Sequence, residues 1–533
     1  MQISRRQFLA SAAAAGLTVP AFSSRSLLAA PSPLSLVIDS RTLDVLGKPA
    51  KVYGITGPNG GPGLIAEAGQ RFSAVVENRL SEPTVLHWHG QTPPNAQDGV
   101  PGLTQDPILP GASLGYDYTL RAGTHWMHSH HGLQEQRLLA APMIVRTNSK
   151  ADQQEVVILL HDFSFTDPTE QFAKLTGMSA PDHATMHHGG QMPMHSASMN
   201  HGSMNHGAMS HEGMGHGAKP TGGSAKPTGG MDKPTGGMDM TAMHAMHMGQ
   251  GAAGHDQHAM MTGGMSHAND LDYDAYLAND RTLDDPQVTQ VEAGGKVLLR
   301  VINGATTTAF FIELPGLVGS VVAVDGNPVQ PVPGSRFPIA MGQRLDILLN
   351  IPKDGGAWPI LARREEAREQ TGIILATKGA DIRKLDNQAA TASGTLGLDL
   401  ESRLSAHVPL VRRPADRRLA LSLEGNMMGY QWTLNGSGFG QHKPLEVRKG
   451  ERVELTFMNH SDMMHPMHLH GHAFQVVALG GRRLQGALRD TVIVPSMTSV
   501  TVAFDADNPG EWVCHCHNLF HMAAGMMTTV KYV

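Results

Sequence analysis

A cysteine, three histidines and a methionine crowd into one short run, His515-Cys516-His517-Asn518-Leu519-Phe520-His521 followed by Met526. A thiolate, an imidazole five residues on and a thioether ten residues on make the soft sulfur and nitrogen set of a blue copper site. Such a site has a plane of two His and one Cys with a weak axial Met. The second His of the plane has to come from elsewhere in the chain. His515 and His517 flank the cysteine, so an electron reaching the sulfur has a short covalent path to whatever those imidazoles hold.

Three more histidine clusters answer to this run: His87-Trp88-His89-Gly90, His128-Ser129-His130 and His465-Pro466-Met467-His468-Leu469-His470-Gly471. A lone histidine is more often structural, because imidazole has many such uses. Four His-x-His pairs beside a Cys/His/Met set are a metal-binding pattern. An internal repeat supports it. Gly69 to Asn78, Gly294 to Asn303 and Gly450 to Asn459 share a Gly, a basic residue two on, an alternating run and a closing Asn. Nine and eleven past each Asn stand His87 and His89, then Ile312 and Leu314, then His468 and His470. In a second register Gly123 leads to His128 as Gly510 leads to His515, with Ser129 where Cys516 stands and Thr84 where His465 stands. The first and last copies therefore carry matching His pairs, only the last can ligate through sulfur, and the middle copy reads as metal-free.

These four motifs resemble those of the multicopper oxidases, and the resemblance covers nearly all of the chain outside one insertion and the N-terminal segment. It implies three cupredoxin domains, a type 1 copper in the last and a three-copper cluster between first and last, four copper ions with O2 as co-substrate. By motif position, type 1 copper takes His465, Cys516, His521 and axial Met526. Type 2 copper takes His87 and His468, and the type 3 pair takes His89, His128, His130, His470, His515 and His517. An acid beside the cluster falls at Asp98. Many bacterial relatives carry a proton-relaying Glu right after the second type 1 His, where this chain has Met522. That Met and the run Gln134-Glu135-Gln136 resemble the copper-resistance branch. Cuprous-oxidase relatives hold substrate Cu(I) with Met and Asp ahead of the first type 1 His. Met463 falls in the matching place, with Asp462 one residue out of register. The leading reading is oxidation of Cu(I) to Cu(II) in copper tolerance. The alternatives are a laccase acting on phenols or aromatic amines and a copper-binding protein without turnover. A nitrite-reductase arrangement is disfavoured, because paired His-x-His in both end domains implies a three-copper cluster.

The elements that position these residues are short alternating runs, Phe72 to Val76, Tyr116 to Leu120, Val297 to Val301 and Val453 to Phe457, separated by Gly/Pro turns. Helical periodicity is scarce, which predicts an all-β chain of sandwiches, and the resemblance implies that they are three Greek-key β-sandwiches. The expected divisions are 31–150, 151–378, a linker at 379–418 and 419–533. A length of 533 residues allows three domains, and a net charge of −6 argues against a nucleic-acid partner and a basic membrane patch. With Cys514 and Cys516 the only cysteines and Cys516 a ligand, no disulfide is left within the chain. Residues 1–30, with Ser4-Arg5-Arg6-Gln7-Phe8-Leu9 before an Ala-rich stretch, read as a twin-arginine signal for export of a folded protein to the periplasm. No segment reads as a membrane span, and the protein is expected to be a monomer.

The stretch from Met178 to His267 differs in kind. It has no Leu, Ile, Val, Phe, Trp or Tyr, yet by count it holds 17 of the 31 Met and 13 of the 30 His. It cannot bury enough apolar surface to offset its ordering entropy and is expected to be disordered. Met199, Met204, Met209 and Met214 recur every five residues, interleaved with His201, His206, His211 and His216. Thioether prefers Cu(I) and imidazole takes either oxidation state, so the tract reads as a copper-capturing segment.

Overall fold

Each copy of the repeat forms a strand that stops at its asparagine: Arg71–Asn78, Lys296–Asn303 and Arg452–Asn459. The three asparagines are buried and bond alike. Each Oδ1 accepts the backbone N–H two residues on, at Leu80, Ala305 and Ser461. Each Nδ2 donates to a carbonyl four or five residues on, at Glu82, Thr308 and Met463. Each also donates to a carbonyl of a more distant segment, at Ile108, Ile339 and Val494. The amide thus ends the strand, satisfies buried backbone groups and fixes the path to the next strand. That next strand holds His87–His89, Phe310–Glu313 or His465–Leu469.

The computed structural model describes residues 33–147, 152–177 and 269–533. The stretch 1–30 that reads as an export signal, and the Met/His-rich tract with Met199, Met204, Met209 and Met214, lie outside them. The described residues build six open sheets. Alternating side chains of Leu36, Phe72, Trp88, Met127 and Met143 close a first two-sheet core. Val156, Leu299, Phe310, Ile312 and Ile347 belong to a second, and Leu455, Phe457, Met467, Val502 and Cys514 to a third. This is the all-β sandwich architecture that the alternating runs predict. The first pair of sheets draws on strands between Leu34 and Arg146. The second uses Gln154–Phe163 and strands between Ala275 and Ala376, and the third uses strands between Arg417 and Tyr532. The stretch 379–418 carries a short helix, Asp399–Arg403, with Leu396, Leu400 and Leu404 buried. Among the described residues no helix is long and apolar enough to cross a membrane.

Candidate metal centre

Two strand pairs, one in each end sandwich, carry the histidines in the same register. His87 lies opposite His128 in the first, and His468 lies opposite His515 in the last. The two pairs face each other. The His87 and His470 rings stack with centroids 3.7 Å apart, and His89 stacks on His468 at 3.8 Å. The ligand atoms fall into three sets, each within 4.8 Å: His87, His89 and His468; His89, His128 and His517; His130, His470 and His515. A fourth set joins His465, Cys516 and His521.

The outer nitrogen of most of these rings is spent on a hydrogen bond. His87 Nδ1–H donates to Asp98 O at 2.8 Å, and His470 Nδ1–H to Asp98 Oδ2 at 2.7 Å. His468 Nδ1–H donates to Asp490 O at 2.8 Å, and His515 Nδ1–H to Cys516 O at 2.9 Å. His128 Nδ1 lies 3.0 Å from Glu135 Oε2 and 3.2 Å from Ser129 O. His89 is turned the other way, with Nε2–H donating to Asp490 Oδ1 at 3.0 Å. Nδ1 of His89 and Nε2 of His87, His128, His130, His468 and His517 are buried without any partner. His470 Nε2 and His515 Nε2 face each other at 3.1 Å. Burial, and repulsion between the neighbouring rings, hold His89, His128, His130, His468, His470 and His515 well below the usual imidazole range, and His517 at about 4. Neutral rings with the outer nitrogen protonated aim lone pairs inward. Buried lone pairs without donors are costly unless a cation takes them.

The Cys516 set tells the same story with sulfur. Sγ lies 3.6 Å from His465 Nδ1 and 3.8 Å from His521 Nδ1, and the two nitrogens are 3.2 Å apart. Those edges suit donors each about 2.0–2.3 Å from one shared ion. All three side chains are fully buried, and burial pushes the Cys516 thiol up, so a thiolate there needs a cation. The Asn518 N–H points at Sγ from 3.4 Å. Asn518 also caps the helix Leu519–Ala523, its Oδ1 accepting from Phe520 and His521 N–H, which sets His521 one short turn from the cysteine. Met526 is buried in the same core cluster, and its carbonyl accepts the Cys516 N–H at 3.1 Å.

Further polar partners surround these rings, and of them Asp98 and Glu135 belong to stretches singled out from the sequence. Asp270 Oδ1 accepts from His521 Nε2 at 3.0 Å, and Asp270 also binds Tyr430 and Asn518. Ser461 Oγ accepts from His465 Nε2 at 2.7 Å. Asp98 is fully buried, and its Oδ1, without a hydrogen-bond partner, is 3.4 Å from His87 Nδ1. Burial raises the Glu135 carboxyl to about 7. Glu135 and Met522 pack around the same small space as His128, His130, His515 and His517. Of the residues read as holders of substrate Cu(I), Asp462 is exposed and Met463 is buried in the core beside Cys516 and Met526. Ser461 lies four residues before His465 and was within reach of local reading. Asp270, Asp490 and Glu135 meet their histidines only through the fold.

Three family models, each described as multicopper oxidase, match residues 38–150, 238–380 and 412–533. The multicopper oxidase MmcO of Mycobacterium tuberculosis is 29% identical over 100% of this chain and 97% of its own length. Copper resistance protein A of Escherichia coli is 26% identical over 100% of this chain and 99% of its own. The crystal structure of the laccase from Botrytis aclada superposes with a TM-score of 0.67 at 21% identity, over 94% of this chain and 87% of that one.

Proposed function

The chain belongs to the multicopper oxidases, an O2-using oxidoreductase family with copper cofactors, and from that membership we propose that it oxidises Cu(I) to Cu(II) for copper tolerance. His465, Cys516, His521 and Met526 would hold a type 1 copper, His87 and His468 a type 2 copper, and His89, His128, His130, His470, His515 and His517 a type 3 pair. When bound, these coppers supply one-electron oxidation of the substrate and four-electron reduction of O2 to two waters. The unpartnered inward nitrogens support that ligand set. The peptide bonds on either side of Cys516 join it to His515 and His517, which gives two short covalent routes between the two centres. Asp98 and Glu135 each keep a buried carboxylate oxygen free of hydrogen bonds beside the cluster, where water formation consumes protons. The membership also supports 31–150, 151–378 and 419–533 as the three domains, with 379–418 as a linker. The paired arginines and Ala-rich stretch support twin-arginine export to the periplasm.

The single observation that favours Cu(I) is the cover over the type 1 histidines. Both rings are fully buried, the outer nitrogen of His465 is taken by Ser461, and that of His521 is taken by the carboxylate of Asp270. An aromatic substrate finds no ring edge exposed, whereas the buried carboxylate of Asp270 against His521 suits a small cation nearby. This agrees with the copper-resistance protein among the relatives; the similarity to a laccase, at 21% identity, carries the fold. Oxygen uptake with Cu(I) and with a phenol at matched concentration tests the reading. Faster uptake with Cu(I) is expected, and a clear preference for the phenol would move the assignment to a laccase.

A further inference from the structure

The middle sandwich supplies none of the ligands above, yet its turn Gly342-Gln343-Arg344 reaches the cluster. Arg344 is fully buried, and its two terminal nitrogens form a fork on Asp490, Nη1–H to Oδ1 at 2.6 Å and Nη2–H to Oδ2 at 2.5 Å. Nε–H donates to the carbonyl of Thr124 in the first sandwich at 3.1 Å, and Nη1–H to that of Gly342 at 3.0 Å. One guanidinium thus ties together segments of all three sandwiches. Asp490 in turn accepts His89 Nε2–H on Oδ1 and His468 Nδ1–H on its peptide oxygen.

Two glycines make room for this contact. A side chain at Gly90, the glycine of the first histidine motif, would put its Cβ 2.3 Å from Arg344 Nη2, and one at Gly342 would lie 2.6 Å from the His517 ring. Both sit in the left-handed region, with φ of +89° and +78°. The middle sandwich also holds Asp490 from behind. Asp325 Oδ2 lies 3.4 Å from the Asp490 N–H and 3.3 Å from the Thr491 N–H, and Gln343 Nε2–H donates to the Thr491 carbonyl at 3.1 Å.

We propose that Arg344 is a positioning residue of the copper cluster, acting through Asp490 to decide which nitrogen of His89 faces inward and to hold His89 and His468 in register. Of the six cluster rings with a nitrogen buried and unpartnered, His89 alone presents Nδ1, and it does so because its Nε2 is engaged by Asp490 and Thr491. A guanidinium suits the task because its planar fork fixes both oxygens of a carboxylate, which a lysine ammonium cannot do. The inference rests on the reading of His89 and His468 as cluster ligands.

The test uses copper-loaded full-length protein in three forms: wild type, R344K and D490N. Copper per chain, the type 2 electron paramagnetic resonance signal and the near-ultraviolet band of the coupled pair report the cluster. The visible blue band reports the Cys516 site as an internal control. R344K is expected to keep the blue band and to weaken cluster copper affinity roughly tenfold, and D490N to weaken it by roughly 10- to 100-fold, as loss of an outer hydrogen bond to a ligand histidine does. Should R344K yield no blue protein, D490N decides the matter by the same readouts. Wild-type cluster spectra and stoichiometry in blue variants would overturn the positioning role. So would loss of the blue band and the cluster together in both variants, which would make Arg344 a general clamp between sandwiches. A wild-type protein without type 2 and type 3 signals would instead remove the ligand reading beneath the proposal.

Discussion

The Cys516 set and the histidine cluster lie one residue apart along the strand Glu511–Cys516, yet they are assembled in opposite ways. His465, Cys516, His521 and Met526 all belong to the last sandwich, and a short capped helix and one strand pairing bring three of them together. The cluster draws on both end sandwiches, with His470 meeting Asp98 across 372 positions and His89 meeting Asp490 across 401. The Cys516 set takes all its ligands from one sandwich, and Asp270, which holds His521 and Asn518, reaches it from outside that sandwich. A shared site depends on every contact that fixes one sandwich against another, and so its integrity is a property of the whole molecule.

The sharpest way to separate the two is Cys516→Ser. Thiolate-to-copper charge transfer needs that sulfur and the cluster does not use it. The blue band and oxidase activity should vanish, while type 2 and type 3 signals persist. A variant that stays blue would break the comparison at its root. The converse change, His87→Ala or His468→Ala, should keep the blue band and stop O2 reduction. Substrate should bleach the type 1 copper once under air, and turnover at the wild-type rate would show that the two centres had been wrongly divided.

Acid should tell the centres apart as well. Seven cluster imidazoles (His89, His128, His130, His468, His470, His515 and His517) are held below the ordinary value of 6.5, against His465 in the Cys516 set. A histidine depressed in the folded state favours folding above its unfolded pKa. That advantage is lost as pH falls below about 6.5, at up to roughly 1.4 kcal/mol per pH unit for each ring. Copper-free protein should therefore melt at a steady temperature above about pH 7 and at steeply lower ones below 6.5. Copper loading should move that loss to lower pH, because metal and proton compete for the same lone pairs. Cys516→Ser should leave the copper-free profile in place, and a shallower profile in that variant would assign the acid sensitivity to the wrong centre.

The smallest effect on the fold is expected from deleting 178–267, since loop closure depends only weakly on length. Melting temperature and both copper centres should be retained, with fewer Cu(I) ions bound per chain and a higher apparent KM for Cu(I). Unchanged Cu(I) titration and kinetics would reduce the tract to a spacer.

The repeat made much of this legible. The Gly-to-Asn spacing marks three strands that end at the same bonded amide, and counting on from Asn78 and Asn459 lands on facing histidines. The same count from Asn303 lands on Ile312, in the middle core. What stayed hidden were the groups that orient the ligands. Asp270, Asp490 and Arg344 sit in runs with no periodic or motif signal, and each meets its partner at a sequence separation of 146 or more. A carboxylate's duty there is set by which strand end faces it, and that is fixed only when the sandwiches dock. Ser461 and Asn518 are the counterexamples, since each lies within four residues of the ligand it serves and follows from strand-end and helix-cap chemistry.

The reach of Asp490 and its neighbours across the chain also sets an order in time. A ribosome makes the first sandwich's histidines long before His468, Asp490, His515 and Cys516 exist. Until the final sandwich has folded against the other two, the early histidines have no facing rings and His89 has no carboxylate to turn it. The facing-ring cluster therefore cannot assemble until the last sandwich has been made and has folded against the first. In a background lacking 178–267, a chain ending before His465 should hold copper far more weakly than the chain that continues through His521, in a competition with a chelator. The topology thus ties assembly of the cluster to the docking of the last sandwich on the first.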